Sequence, residues 1–187
     1  AANKAGLYQV YVHAFTDGRA TDPKSGKNFL TDLSNHMDGE CGEIASITGR
    51  YFAMDRDNRW ERVKLAYDTM VKGEGKKMVN PLKGLDESYN ENVTDEFVKP
   101  IVKVDENGET TGQIKEGDVV MCFNFRTDRG RQITQALTQK DFPNQDMQKL
   151  DLHYLTMTNY DDTFENVNVV FDKDKLKKTL GEELAEQ

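Results

Sequence analysis

All eight arginines fall in three short stretches: Arg19; then Arg50, Arg56, Arg59 and Arg62; then Arg126, Arg129 and Arg131. The lysines are scattered elsewhere. Arginine presents a planar fork of donors that matches carboxylate and phosphate oxygens two at a time. Three such stretches, brought together, would suit a small, multiply anionic ligand. The competing reading is a set of surface salt bridges with Asp17, Asp55, Asp57 and Asp128. Arg59, Arg62 and Arg131 lie on expected helices, where a polar face is ordinary, and fit the salt-bridge reading better. Arg19, Arg50, Arg56, Arg126 and Arg129 fit the ligand reading better, because random surface charge does not segregate one residue type into three loops. Gly18 and Gly49 each precede an arginine and allow a sharp backbone turn.

Other candidate groups point to no chemistry. His13, His36 and His153 show no metal-ligand spacing. His13 and His153 lie inside expected strands and read as core or hydrogen-bonded histidines. Asp161-Asp162 reads as a solvated turn more readily than as a cation site. No nucleophile elbow, phosphate-binding glycine loop or dinucleotide fingerprint is present. Trp60, Tyr67 and Met70 read as core.

The elements that must position the arginines follow from hydrophobic periodicity. Strands are expected over Leu7–Phe15, Ile44–Thr48, Asp118–Phe125, Leu152–Thr158 and Asn168–Phe171. Helices are expected over Asn28–Met37, with Phe29, Leu30, Leu33 and Met37 on one face, and over Asn58–Lys72, stopped by Gly73 and Gly75. A weaker helix is expected around Leu85–Tyr89, and others over Arg129–Thr138 and Asp174–Gln187. Phe97–Val104 and Thr111–Ile114 flank Asp105-Glu106-Asn107-Gly108, whose Asn-Gly suggests a hairpin. Alternating strands and helices give an α/β class: a three-layer αβα arrangement with a mainly parallel sheet and an antiparallel hairpin addition. Each arginine stretch begins just past a strand, and open parallel sheets bind ligands beyond the carboxyl ends of their strands.

The 187 residues suffice for one domain, expected to span 1–187, and the net charge is −8. That balance argues against nucleic acid as a partner. No apolar run approaches the ~20 residues of a membrane span. Cys41 and Cys122 form no CxxC pair, and Cys122 lies in an apolar run, which favours a reducing, cytoplasmic setting. Both ends read as cut within elements: Ala1–Gly6 resembles the last turn of a helix closed by Gly6, and Asp174–Gln187 is itself helical in pattern. An excised piece is expected.

The same arginine stretches carry a family resemblance. His13-Ala14-Phe15-Thr16-Asp17-Gly18-Arg19, followed by Thr21-Asp22-Pro23, resembles the HAFxDGRDTxP segment of cofactor-independent phosphoglycerate mutases. Gly49 to Asp57, with Arg59-Trp60-Glu61-Arg62, is similar to their GRYYAMDRDxRWER segment. Asn124-Phe125-Arg126 with Asp128-Arg129 and Arg131-Gln132 is similar to NFRxDRxRQ, and Asp95 to Pro100 matches in kind.

The resemblance implies an isomerase of glycolysis and gluconeogenesis that interconverts 3-phosphoglycerate and 2-phosphoglycerate through a phosphoserine. It further implies that this chain is the phosphotransferase domain. The phosphatase-like domain, with the serine and two manganese or other divalent ions, would lie outside, and the chain alone would be inactive. No catalytic residue or metal ligand would then lie in this chain. Arg19, Arg50, Arg56, Arg126 and Arg129 would contact the substrate, as would position 20, where the family has Asp and this sequence has Ala20. That change removes an acceptor for a glycerate hydroxyl. The implied partners are phosphoglycerate and the missing domain. A second class stays open: a non-enzymatic anion-binding or interaction module retaining the fold.

Overall fold

A computed structural model of the chain describes residues 3–171. The expected helix over 174–187 lies outside the described residues. The described residues open with a short 3-10 turn over Asn3–Ala5, after which Gly6 takes a left-handed φ of 75°.

The first sheet contains β1 (Val10–Thr16), β2 (Gly42–Gly49), β3 (Lys76–Met78) and β4 (Ile101–Lys103) in the order β1-β2-β4-β3. β1 and β2 are parallel, β2 and β4 antiparallel, β3 and β4 parallel. The second sheet, β5 (Val119–Cys122), β6 (His153–Thr158) and β7 (Val167–Phe171), is parallel throughout. The architecture is thus mixed α/β and mainly parallel, with its strands divided between two sheets. The expected hairpin needs correction. Only its first arm is a strand, β4, and that strand lies inside the sheet. Thr111–Ile114 forms no strand, and the turn closes on a single bridge between Val104 and Thr110.

β2 is buried continuously from Ile44 to Gly49, the pattern of a strand covered on both faces. α1 (Gly26–Met37) and α4 (Pro81–Asn90) share a core with this sheet, made of Ala14, Leu30, Ile44, Ile47, Leu85, Val98 and Ile101. Full burial of side chains such as Ile47, Leu85 and Ile101 contributes about 1.5–3 kcal/mol each. Leu30, Leu33 and Met37 recur at i, i+3 and i+7 and pack on this core. Phe29 sits ~100° around the helix from Leu30 and is exposed, so it does not belong to the buried face.

A second core joins α3 (Trp60–Lys72) to α5 (Thr127–Thr138) and β6, through Val63, Tyr67, Met70, Ile133, Leu137 and Tyr154. α3 starts at Trp60, two residues after the expected start, because Asn58 holds a left-handed φ of 57°. The buried Asp55 carboxylate caps the turn by accepting from the N–H groups of Asp57 at 3.0 Å and Arg59 at 2.9 Å. α3 ends where Gly73 adopts a φ of 68°, a left-handed helix stop. α4 is longer than expected: Asn80 accepts from the Leu82 N–H at 3.0 Å and Pro81 opens the first turn, a regular N-cap. A four-residue helix, α2 (Arg50–Ala53), follows β2 directly. No helix among the described residues is long and apolar enough to cross a membrane.

Candidate functional site

Three chain segments leave their strands on one side and meet. β1 ends at Thr16 and runs into Asp17-Gly18-Arg19-Ala20. Gly18 has a φ of +64°, and a Cβ there would lie 2.7 Å from the Cβ of Asp95. Both the conformation and the contact require glycine. β2 ends at Gly49, whose φ of −66° is ordinary. Gly49 is needed for space instead, since its Cβ would stand 2.6 Å from the Glu96 carbonyl oxygen. The sharp turn expected at both glycines therefore holds for Gly18 alone.

The fully buried Asp95 anchors this corner. Its carboxylate accepts from the Gly26 N–H at 2.8 Å and from the Tyr89 hydroxyl, and its carbonyl accepts from the Thr16 hydroxyl at 2.7 Å. Burial, then the Asp95 carboxylate, push the Tyr89 hydroxyl pKa up.

Arg19, Ala20, Arg50, Arg56, Arg126 and Arg129 all line one open cleft with a volume of about 550 Å³. Arg62 lines it too, stacked over the Tyr51 ring at 3.9 Å. The sequence placed Arg62 on an ordinary polar helix face. Its position in the first turn of α3, directly after the arginine loop, was the signal that it faces the cleft. Arg131 instead donates to the Tyr160 carbonyl at 2.9 Å, and neither it nor Arg59 lines the cleft.

Salt bridges and convergence prove compatible. Arg50, 8% exposed, donates to Asp17. Arg19 pairs with Glu96 at 3.3 Å. Asp128 accepts from Arg126 at 2.6 and 3.0 Å and from Arg56 at 2.9 Å. Arg62 lies 3.5 Å from Asp55. Arg129 donates to the Met54 carbonyl at 2.8 Å, while its Nε is buried with no partner among the described residues.

The electrostatics show a crowded cationic site. Burial, followed by the neighbouring Arg50 and Arg56 guanidinium groups, pulls the Arg129 pKa down. The hydrogen bond from Arg126, against the upward push of burial and with help from Arg56, holds the Asp128 carboxyl down to about 2. Burial pushes the Asp17 carboxyl up, but the Arg50 guanidinium and the Ala20 and Arg19 N–H groups outweigh it and leave it below the ordinary value. Like charges held this close gain from an arriving anion.

The remaining candidates lie elsewhere. His13 Nε2 is 3.0 Å from the Gly112 carbonyl and Nδ1 is 2.8 Å from the Ser46 hydroxyl. A carbonyl only accepts, so Nε2 carries the proton and Nδ1 accepts from Ser46. Burial pushes His13 down to about 4. This is the hydrogen-bonded strand histidine expected. His153 is on a strand, but its side chain is exposed. Asp161 accepts from the N–H and hydroxyl of Thr163, at 3.0 and 2.7 Å, as a turn residue would. Cys122 is a buried free thiol and Cys41 a half-buried one. Among the described residues no group of three or more His, Cys, Asp or Glu side chains is placed to hold a metal ion.

Fold and site together define an α/β fold with an arginine-lined cleft beyond its strand ends. The family model described as the BPG-independent PGAM N-terminus matches residues 1–162, and the chain belongs to that family. It is 58% identical over 184 residues to the 2,3-bisphosphoglycerate-independent phosphoglycerate mutase of Flavobacterium johnsoniae, covering 98% of this chain and 36% of that one. The enzyme of the same name from Parabacteroides distasonis is 54% identical over 185 residues, with the same coverage. A crystal structure of Leishmania mexicana phosphoglycerate mutase at low cobalt concentration superposes with a TM-score of 0.87 at 30% identity, covering 99% of this chain and 36% of that chain. The chain therefore spans about a third of the length of these relatives.

Proposed function

We propose that this chain is the part of a phosphoglycerate mutase that grips and turns the glycerate phosphate, and that phosphoryl chemistry belongs to a further domain. One observation carries the reading: arginines from three separate strand ends line a single cleft. Carboxylate and phosphate groups are the ligands that paired guanidinium forks fit. Arg19, Arg50, Arg56, Arg126 and Arg129 hold the glycerate while it turns between phosphoryl acceptors, a task of orientation rather than bond-making. The parent isomerase interconverts 3-phosphoglycerate and 2-phosphoglycerate. Its two manganese ions and serine belong to the other domain, and the chain alone, a cytoplasmic piece, does not turn over.

The reading is tested by recording the arginine Nε–H signals by NMR during titration with 3-phosphoglycerate. The signals of Arg19, Arg50, Arg56, Arg126 and Arg129 should shift, and those of Arg59 and Arg131, outside the cleft, should not. Shifts spread over all eight arginines would refute specific gripping. Manganese-dependent mutase or phosphatase turnover by the purified chain would refute the division of labour.

Ala20 favours a second reading, a non-enzymatic anion-binding module. It lines the cleft but offers no side-chain acceptor. In a full-length chain Ala20→Asp should raise turnover more than it changes inhibition by inorganic phosphate, because a hydroxyl acceptor orients the glycerate. Equal turnover of the two variants would mean that position 20 does not touch the reacting glycerate, and a full-length Ala20 chain with no turnover would count for the module.

A further inference from the structure

Asp128 stands where two arms of the cleft meet. It lies in the first turn of α5, where the helix N-terminus favours a carboxylate. Its Oδ1 accepts from Arg126 Nε at 2.6 Å, and its Oδ2 accepts from Arg126 Nη2 at 3.0 Å and from Arg56 Nη1 at 2.9 Å. Arg56 and Asp128 are 72 positions apart. One follows the first sheet's β2 and the other follows the second sheet's β5, so a single carboxylate ties the strand ends of the two sheets across the cleft.

We propose that Asp128 is a positioning residue that presets Arg56 and Arg126 as one wall of the ligand site. The inference rests on the phosphoglycerate reading above and adds to it a residue that need not touch the ligand.

Three observations support it. First, the arrangement leaves donors for a ligand. Of the five N–H groups on each guanidinium, Arg126 gives two to Asp128 and Arg56 gives one. Second, both arginine side chains are largely open to solvent. They are 70% and 46% exposed, and arginine has large rotamer freedom to lose on binding. Ordering them beforehand removes that cost from association. Third, the cleft repels itself. Burial and the charges of Arg50, Arg56 and Arg126 pull Arg129 down, and Asp128 is the neighbour that opposes them.

Bulk charge and positioning give opposite signs on mutation. Removing the Asp128 charge makes the cleft more cationic, which alone would tighten every anion alike. Positioning acts on a ligand that engages both guanidinium groups together, so it sets discrimination rather than attraction.

The test uses the chain with Asp128→Asn and Asp128→Glu, checked for unchanged melting, and two readouts. By calorimetry, Asp128→Asn should weaken 3-phosphoglycerate about tenfold while inorganic phosphate binds as well as before or better. Asp128→Glu, which keeps the charge, should restore part of the discrimination. By NMR without ligand, Asp128→Asn should merge the Arg56 and Arg126 Nε–H signals into the averaged, fast-exchanging set. Equal tightening of both ligands, or no change in either, overturns the role. So does retention of ordered Arg56 and Arg126 signals in Asp128→Asn. If the unmutated chain binds no phosphoglycerate while Asp128→Asn still releases the arginines, the ligand reading fails and the ordering role of Asp128 stands.

Discussion

At the scale of single residues, the cleft depends on what only a guanidinium does. Arg50 is nearly buried and anchored by Asp17. Lysine keeps the charge but loses the fork. Hydrogen bonds to charged groups contribute about 1.5–3 kcal/mol, roughly a 10- to 150-fold change in affinity. We therefore expect Arg50→Lys to weaken phosphoglycerate binding by at least about tenfold in calorimetry. Arg131→Lys, whose native contacts are the Tyr160 carbonyl and the Asp161 carboxylate, both outside the cleft, should change it by less than about twofold. His13 gives a residue-scale expectation for stability. Burial lowers it from 6.5 to about 4, so below pH 6.5 the unfolded chain takes up a proton that the folded chain refuses. Stability from this residue is complete above pH 6.5 and is lost as pH falls towards 4, by up to about 3 kcal/mol at ~1.4 kcal/mol per pH step. Asp128, with its carboxyl near 2 against an ordinary 3.8, contributes its own loss only below that range. Urea unfolding at pH 7 and pH 4.5 should show the slope, and His13→Gln should flatten it. An unchanged slope would remove His13 as its source.

At the scale of elements, the cleft exists because loops are pinned from behind. Gly18 shows this best, with a left-handed φ and Asp95 pressed against it. Gly18→Ala combines backbone strain of roughly 1–2 kcal/mol with a clash that displaces the Arg19 loop. Gly108, at φ +82° with nothing within 4 Å, shares only the strain. Gly18→Ala should therefore lose more stability than Gly108→Ala and should also weaken anion binding. Equal losses and unchanged binding would mean the Asp95 contact does not set the loop. Much of this level could be read from sequence. The strands before each arginine stretch were visible as apolar, β-branched runs, and α3 as a helical stripe ended by Gly73. β3 was not, since Lys76-Lys77-Met78 has neither alternation nor an apolar face and becomes a strand only by pairing with β4. The division into two sheets was hidden for the same reason: strand neighbours are set by long-range packing. Arg62 makes the salt bridge expected of it, with Asp55, and lines the cleft as well; the second role was missed because periodicity gives a helix face but not what that face meets. The aspartates that pair with the arginines could be named, but the reach of Asp128 across 72 positions to Arg56 could not.

At the scale of the whole molecule, a chain of net charge −8 keeps all its arginines in three stretches and brings six of them to one cleft. The anionic remainder repels anions in general, so attraction must come from close, shaped contacts. Screening reaches ~3 Å at 1 M salt, which should suppress loose phosphate attraction more than a multiply bonded ligand. The central claim, that the cleft recognises phosphoglycerate and not merely negative charge, is met most directly by one calorimetric comparison. The purified chain is titrated with 3-phosphoglycerate and with inorganic phosphate in the same buffer. We expect 3-phosphoglycerate to bind at least about tenfold tighter, the margin that one added charged hydrogen bond supplies. Equal affinity for the two, or no binding of 3-phosphoglycerate, would contradict the assignment.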